Sequence, residues 1–162
     1  MPAAPSLEPQ AAARVRHLLL RIDTVLPFEI VDVTTLVDAV VQSSGLSDGL
    51  VMIQTRHTTT GVLINEHEPL LFEDLQRMFQ RLVPHWPPYA HDDVNRRTVN
   101  LTPGERRNGH AHCRAALLRA SESLMVADGR LSLGRWQRVL FVDFDGGQRR
   151  QLSVTLMGEY RR

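Results

Sequence analysis

Short segments in which apolar side chains return every second residue run through most of this chain, and they commit it to a fold built on β-sheet. Successive strand side chains point to opposite faces, so a period of two marks a segment with one face buried. Phe28–Val33 alternates cleanly. In Leu152–Met157, Leu152, Val154 and Leu156 alternate with Ser153, Thr155 and Met157. Arg14–Asp23, Leu50–Thr55, Leu124–Ala127, Leu131–Leu133 and Gln137–Phe144 read as further strands, and His57–Ile64 is β-rich with Gly61 in its middle. The period lengthens in three places. Leu36, Val37, Val40 and Val41 share one helical face, with Thr34 or Thr35 placed to cap it and Gly45 to stop it. Leu71, Leu75, Met78, Phe79 and Leu82 form a second stripe that starts near Pro69 and ends before Pro84. A third helix is predicted over Ala111–Ser121, with Asn108 as its cap. The count, about seven or eight strands and about three helices, predicts an α+β fold, because the helices are interspersed with hairpin-like strand pairs.

At 162 residues the chain suits a single domain, expected over residues 14–162 behind a flexible N-terminal arm at residues 1–13. Its formal charge of +1 argues against a general nucleic-acid binder and against a protein that acts on membrane surfaces. No apolar run is long enough to span a bilayer, and the first residues lack the basic start and apolar stretch of a secretory signal. A cytoplasmic location is therefore expected, and the single cysteine, Cys113, agrees with it. The chain contains no lysine. That excludes a P-loop nucleotide site, a Schiff-base mechanism and pyridoxal phosphate, all of which need one.

Residues 84–109 hold four prolines, two glycines and no clear period, which predicts a long irregular loop of the kind that often carries function. Three of the seven histidines stand in suggestive company. His57 lies beside three threonines, His91 beside Asp92 and Asp93, and His112 just after Asn108–Gly109. Converging imidazoles either bind a transition metal or share acid–base work, although the spacing matches neither an HExxH nor a cysteine-rich zinc pattern. His110 and His112, two apart on a helix, cannot both face one site. Glu66, after an apolar strand and next to Asn65, is a general-base candidate or, equally, a cap for the Pro69 helix. Asn108–Gly109 at a helix start, the hydroxyls of Thr58 and Thr59, and Arg149–Arg150 after a glycine turn suit a phosphate. Arg149 and Arg150 also suit an edge-strand or subunit-contact role. Trp136, before Gln137, is either core or the floor of a ligand pocket.

The segments HTTTGVLINE (His57–Glu66), YAHDD (Tyr89–Asp93), NGHAH (Asn108–His112), LGRWQ (Leu133–Gln137) and GGQRR (Gly146–Arg150) together resemble the YjbQ-like family. This is a family of uncharacterised proteins sometimes described as a secondary thiamine-phosphate synthase. The resemblance implies a β-sandwich-like core of mostly antiparallel strands, a homotrimer and one pocket that gathers the polar motif positions. It implies catalytic roles for His57, Glu66, His91 and His112, with the same three histidines as ligands of a divalent metal, zinc or magnesium. It implies substrate contacts from Thr58, Thr59, Gly61, Asn65, Asn108, Trp136, Gln137 and Arg150, to which the helix start and the glycine turn add Gly109 and Arg149 as phosphate contacts. Many relatives carry aspartate at the position of His110 and threonine at that of Arg135. Three functions are carried forward. One is a transferase that joins a pyrimidine pyrophosphate to a thiazole phosphate. The second is a metal-dependent hydrolase, and the third a trimeric, non-enzymatic binder of a phosphorylated small molecule.

Overall fold

The structure, a computed structural model, describes residues 14–86 and 88–161. The arm expected at residues 1–13 lies outside the described residues. The strands are β1 (Arg14–Asp23), β2 (Glu29–Asp32), β3 (Leu46–Thr55), β4 (Thr60–Asn65), β5 (Ser121–Ala127), β6 (Arg130–Leu131), β7 (Arg138–Asp143) and β8 (Arg149–Tyr160). The helices are α1 (Thr34–Ser44), α2 (Pro69–Leu82) and α3 (Gly109–Ala115). A five-stranded sheet runs β1-β8-β3-β5-β6 and a three-stranded sheet runs β2-β7-β4. Every named pairing is antiparallel, so the fold is α+β as expected.

The two sheets face each other. Val51, Ile53, Leu152, Val154 and Leu156 from the larger sheet share one buried cluster with Val62, Val139 and Phe141 from the smaller. Val37, Val40 and Val41 of α1 close that cluster, as the helical period predicts, while Leu36, expected on the same face, is exposed. The opposite side of the three-stranded sheet is covered as well. Val142 and Phe144 pack there with Phe79 of α2 and Ala111 of α3. β7 is thus covered on both faces, and Val139, Leu140, Phe141 and Val142 are all fully buried. A strand buried on both sides reads as a continuous apolar run, and this one does.

Local chemistry moves several expected boundaries. α1 is not capped by a threonine side chain; Asp32 Oδ1 accepts the Thr34 N–H, and Thr34 Oγ1 instead accepts the N–H of Val139. At α2 the cap is Glu68, whose carboxylate accepts the N–H groups of Leu70 and Leu71, so neither Asn65 nor Glu66 caps that helix. α3 ends at Ala115, well before Ser121, because Ser121 already pairs with Gln54 in the large sheet. Asn108 occupies the N-cap position of α3 but donates its side chain to Asp145 instead. β4 begins at Thr60 rather than His57, since His57–Thr59 form a turn closed by Thr60 Oγ1 donating to the His57 carbonyl.

Candidate functional site

The turn between β7 and β8 is anchored by a buried ion pair. Asp143 ends the apolar run of β7 with no exposed surface, and Arg150, also buried, meets it two residues into β8. Arg150 Nε donates to Asp143 Oδ2 at 2.7 Å and Nη2 to Oδ1 at 2.8 Å. This bidentate geometry is the strong form of a charge-assisted pair. Thr24 Oγ1 and the N–H of Asp145 complete the carboxylate shell at 2.8 and 3.0 Å. Arg150 Nη2 also donates to the Asp145 carbonyl at 2.7 Å and to Thr59 Oγ1 at 3.3 Å. One guanidinium therefore ties the His57–Thr59 turn to the β7–β8 turn.

His57 is held by the same strand. Its Nε2 accepts the backbone N–H of Gln151 at 2.8 Å. A backbone N–H only donates, so the Nε2 lone pair is engaged and the ring proton sits on Nδ1. Burial and then the Arg150 guanidinium hold the His57 pKa below the ordinary histidine value. His112 is likewise held down, first by burial and then by His91, whose ring centroid lies 4.4 Å away. Asp145 is oriented by Asn108 Nδ2 at 2.9 Å and Gln148 Nε2 at 3.1 Å, with Arg106 Nη1 at 3.4 Å.

Around these groups opens a cleft of about 430 Å³. Arg56, His57, Thr58, Thr59, Arg106, Asn108, His112 and Arg150 all line it. Of the expected site residues, His57, Thr58, Thr59, Asn108, His112 and Arg150 are thus brought together. His91 reaches the cleft only through its stacking on His112. Arg56, Arg106, Asp145 and Gln148 were missed as site residues; Arg56 adjoins His57, but nothing local marks Arg106, which arrives from the long loop.

The remaining positions lie elsewhere in the chain. Thr60 pairs with Asp143 at one end of β7, and Asn65 pairs with Arg138 at the other. Asn65 and Glu66 therefore stand a strand's length from His57, on the order of 20 Å by strand rise, at the end where Trp136 and Gln137 enter β7. Gln137 is occupied locally, its Oε1 accepting the Gly134 N–H at 2.8 Å, and Trp136 is exposed under Arg135. Gly61 serves packing, since a Cβ there would lie 2.7 Å from Leu118 Cβ. The Gly109 N–H, expected to be free for an anion, already donates to Asp92 Oδ1 at 2.9 Å. Arg149 is exposed beside Asp23 at the start of β8 and does not line the cleft; β8 lies between β1 and β3, so the edge-strand role does not apply.

A family model described as UPF0047 protein YjbQ-like matches residues 19–159. The chain belongs to the YjbQ-like UPF0047 family. A UPF0047 protein of Archaeoglobus fulgidus is 39% identical over 135 residues, covering 83% of this chain and 96% of that one. The UPF0047 protein YugU of Bacillus subtilis is 33% identical over 140 residues, covering 86% and 97%. Among solved structures, a YbjQ-like protein of unknown function from Sulfolobus solfataricus P2 superposes with a TM-score of 0.80 at 29% identity, covering 91% of this chain and 99% of that one. A hypothetical protein from Aeropyrum pernix K1 gives 0.78 at 32%, covering 89% and 99%. The likeness to these structures spans nearly the whole described fold of this YjbQ-like chain. None of the helices described is long and apolar enough to cross a membrane.

Proposed function

We propose that the cleft binds a phosphorylated small molecule and that the chain acts on it as a transferase releasing pyrophosphate, in the sense of the thiamine-phosphate synthase description sometimes given to its family. The observation that supports this reading is the balance of donors and charge. Arg150 is neutralised by Asp143, whereas Arg56 and Arg106 are exposed at the cleft with no carboxylate closer than the 3.4 Å contact of Arg106 to Asp145. Thr58 adds a hydroxyl, and His57 adds an Nδ1–H donor without a charge of its own. Guanidinium groups and preset N–H donors at the rim of a cleft suit an anionic leaving group, whose charge grows as the bond to it breaks. His112, held neutral at pH 7 and next to Asp145 in the cleft wall, is the group best suited to take a proton there.

Titration calorimetry with inorganic pyrophosphate tests the binding step. Each of Arg56→Gln and Arg106→Gln removes a charged hydrogen bond of about 1.5–3 kcal/mol and is expected to weaken binding by roughly tenfold or more. Full affinity in both variants would sink the reading. For the transfer step, His112→Asn is expected to abolish product formation from the two thiamine precursors while leaving pyrophosphate affinity within about threefold. Turnover at the parental rate in that variant removes His112 from the chemistry.

The three histidines do not fit a metal in this arrangement. His57 Nε2 is committed to Gln151, and among the described residues no group of three or more His, Cys, Asp or Glu is placed to hold an ion. For assembly, we propose that copies meet through the outer face of the five-stranded sheet, as the implied trimer requires some covered face. Val15, Met157, Leu50 and Met125 are cross-strand neighbours there and all are exposed, with Met52 and Leu19 beside them. A contiguous apolar patch on one sheet face is the usual mark of an association surface.

A further inference from the structure

α3 divides two cavities. His112 lines the cleft described above, and His110, two residues earlier and so pointing elsewhere, lines a larger cavity of about 700 Å³. One wall of this second cavity is aromatic, made by His85, Trp86, Tyr89 and His110, and Asp92, Asp93, Asn95 and Arg107 give the rest of its lining a polar rim. Trp86 is 86% exposed, a large aromatic held at the cavity mouth instead of in the core. It packs edge-on against His85 with centroids 4.7 Å apart. Tyr89 is pinned by its hydroxyl donating to the Pro84 carbonyl and by Gly109, where a Cβ would lie 2.5 Å from Tyr89 Cβ.

His85 and His110 are coupled. Their rings lie 4.1 Å apart at 72°, and His85 Nδ1 and His110 Nε2 share one hydrogen bond at 3.0 Å. Burial first, and then His85, push the His110 pKa down to about 4, so His110 is neutral near pH 7. With that bond shared, His85 Nε2 and His110 Nδ1 are the ring nitrogens left to meet a ligand, each a donor or an acceptor according to tautomer. A concerted tautomer change exchanges the two roles. Neither atom has a hydrogen-bond partner among the described residues, and neither is a fully buried orphan.

We propose that this cavity is a second ligand site, which takes a planar nitrogen heterocycle of nucleobase size. The ring lies against Trp86 and Tyr89, and its neighbouring donor and acceptor meet the His85–His110 pair. No residue of this site lines the anion cleft, so the inference stands apart from the proposed function.

Calorimetry on the full chain at pH 7, with free adenine, cytosine and uracil as probes, tests it. At least one base is expected to bind at one site per chain with a dissociation constant below about 1 mM. Trp86→Ala, at an exposed position, should keep the parental circular dichroism spectrum and weaken that binding roughly tenfold, as loss of one base–aromatic stack does. His110→Phe keeps a ring but removes the donor–acceptor edge, and a comparable loss is expected. The proposal is overturned if none of the three bases gives a saturable signal, or if Trp86→Ala binds as the parent does. It is equally overturned if Arg56→Gln abolishes base binding while Trp86→Ala does not, which would place the heterocycle in the anion cleft.

Discussion

Asp143 and Arg150 show how much one pair of side chains organises. Neither is tolerable alone in the interior, since an unpaired buried charge costs several kcal/mol. Together they satisfy each other, and Arg150 Nη2, besides donating to Asp143, also reaches the Asp145 carbonyl and Thr59 Oγ1. Arg150→Met leaves Asp143 uncompensated and is expected to cost about 3–5 kcal/mol in denaturant unfolding. Asp143→Leu combined with Arg150→Met should recover a large part of that loss, and a double variant as weak as the single would show that the pair's charge is not the cause. His110 makes a pH prediction. Its pKa in the folded chain, about 4, lies below the unfolded value of 6.5, so the unfolded chain binds the proton more readily. Stability is therefore lost as pH falls from the ordinary histidine range towards 4, and the loss levels off below that. His57 and His112 act in the same direction. Between pH 7 and pH 4.5 the melting temperature of the parent is expected to drop about 4–8 °C further than that of His110→Phe. Equal drops would show that His110 does not titrate across this window.

The elements are held to one another by close approaches as much as by apolar area. β4 passes directly beneath the residues that follow α3, and Gly61 makes that possible. Gly61→Ala would press a methyl group into Leu118 and is expected to cost about 1–3 kcal/mol, since overpacking displaces well-seated neighbours. Parental unfolding behaviour in Gly61→Ala would mean that the helix-to-strand contact gives way freely. α2 shows the limit of a pattern argument. Its apolar stripe is legible, yet only Phe79 is buried, packed against Phe28 and Phe144 with centroids at 6.2 and 4.8 Å. Met78 and Leu82 remain exposed because only one edge of α2 touches the sheet.

In the whole molecule, the three-stranded sheet is the middle layer, covered by the larger sheet on one side and by α2 and α3 on the other. Among the described residues the larger sheet has no such second cover, and its outer face presents Leu50, Met125 and Met157 side by side. Leu50→Arg places a charge at the centre of that face. Light scattering is expected to show a trimer for the parent and a monomer for the variant. A parent that stays monomeric contradicts the assembly, and a variant that stays trimeric moves the interface elsewhere. The same layering explains the distribution of the motif residues. The segment His57–Glu66 is continuous in the chain, but β4 carries its two ends to opposite ends of the sheet. Glu66→Gln is accordingly expected to leave pyrophosphate affinity unchanged, as measured by the same calorimetry.

What the amino-acid sequence determined by itself was the local order: the approximate strand and helix positions, the α+β class, the stops of α1 at Gly45 and of α2 before Pro84, and the histidines of the cleft. Those follow from side-chain period and backbone chemistry, which act over a few residues. Only the tertiary structure decided which polar residues meet. Arg106 joins the cleft from the long loop, and Asp145 and Gln148 join it across the β7–β8 turn. Gln151 sets the tautomer of His57 through a backbone N–H 94 residues away. His110 and His112, neighbours in the chain, were separated into two cavities by the turn of α3. The physical reason is the same throughout. A site depends on distances across the fold, and those are set by how two sheets and three helices pack, not by spacing along the chain.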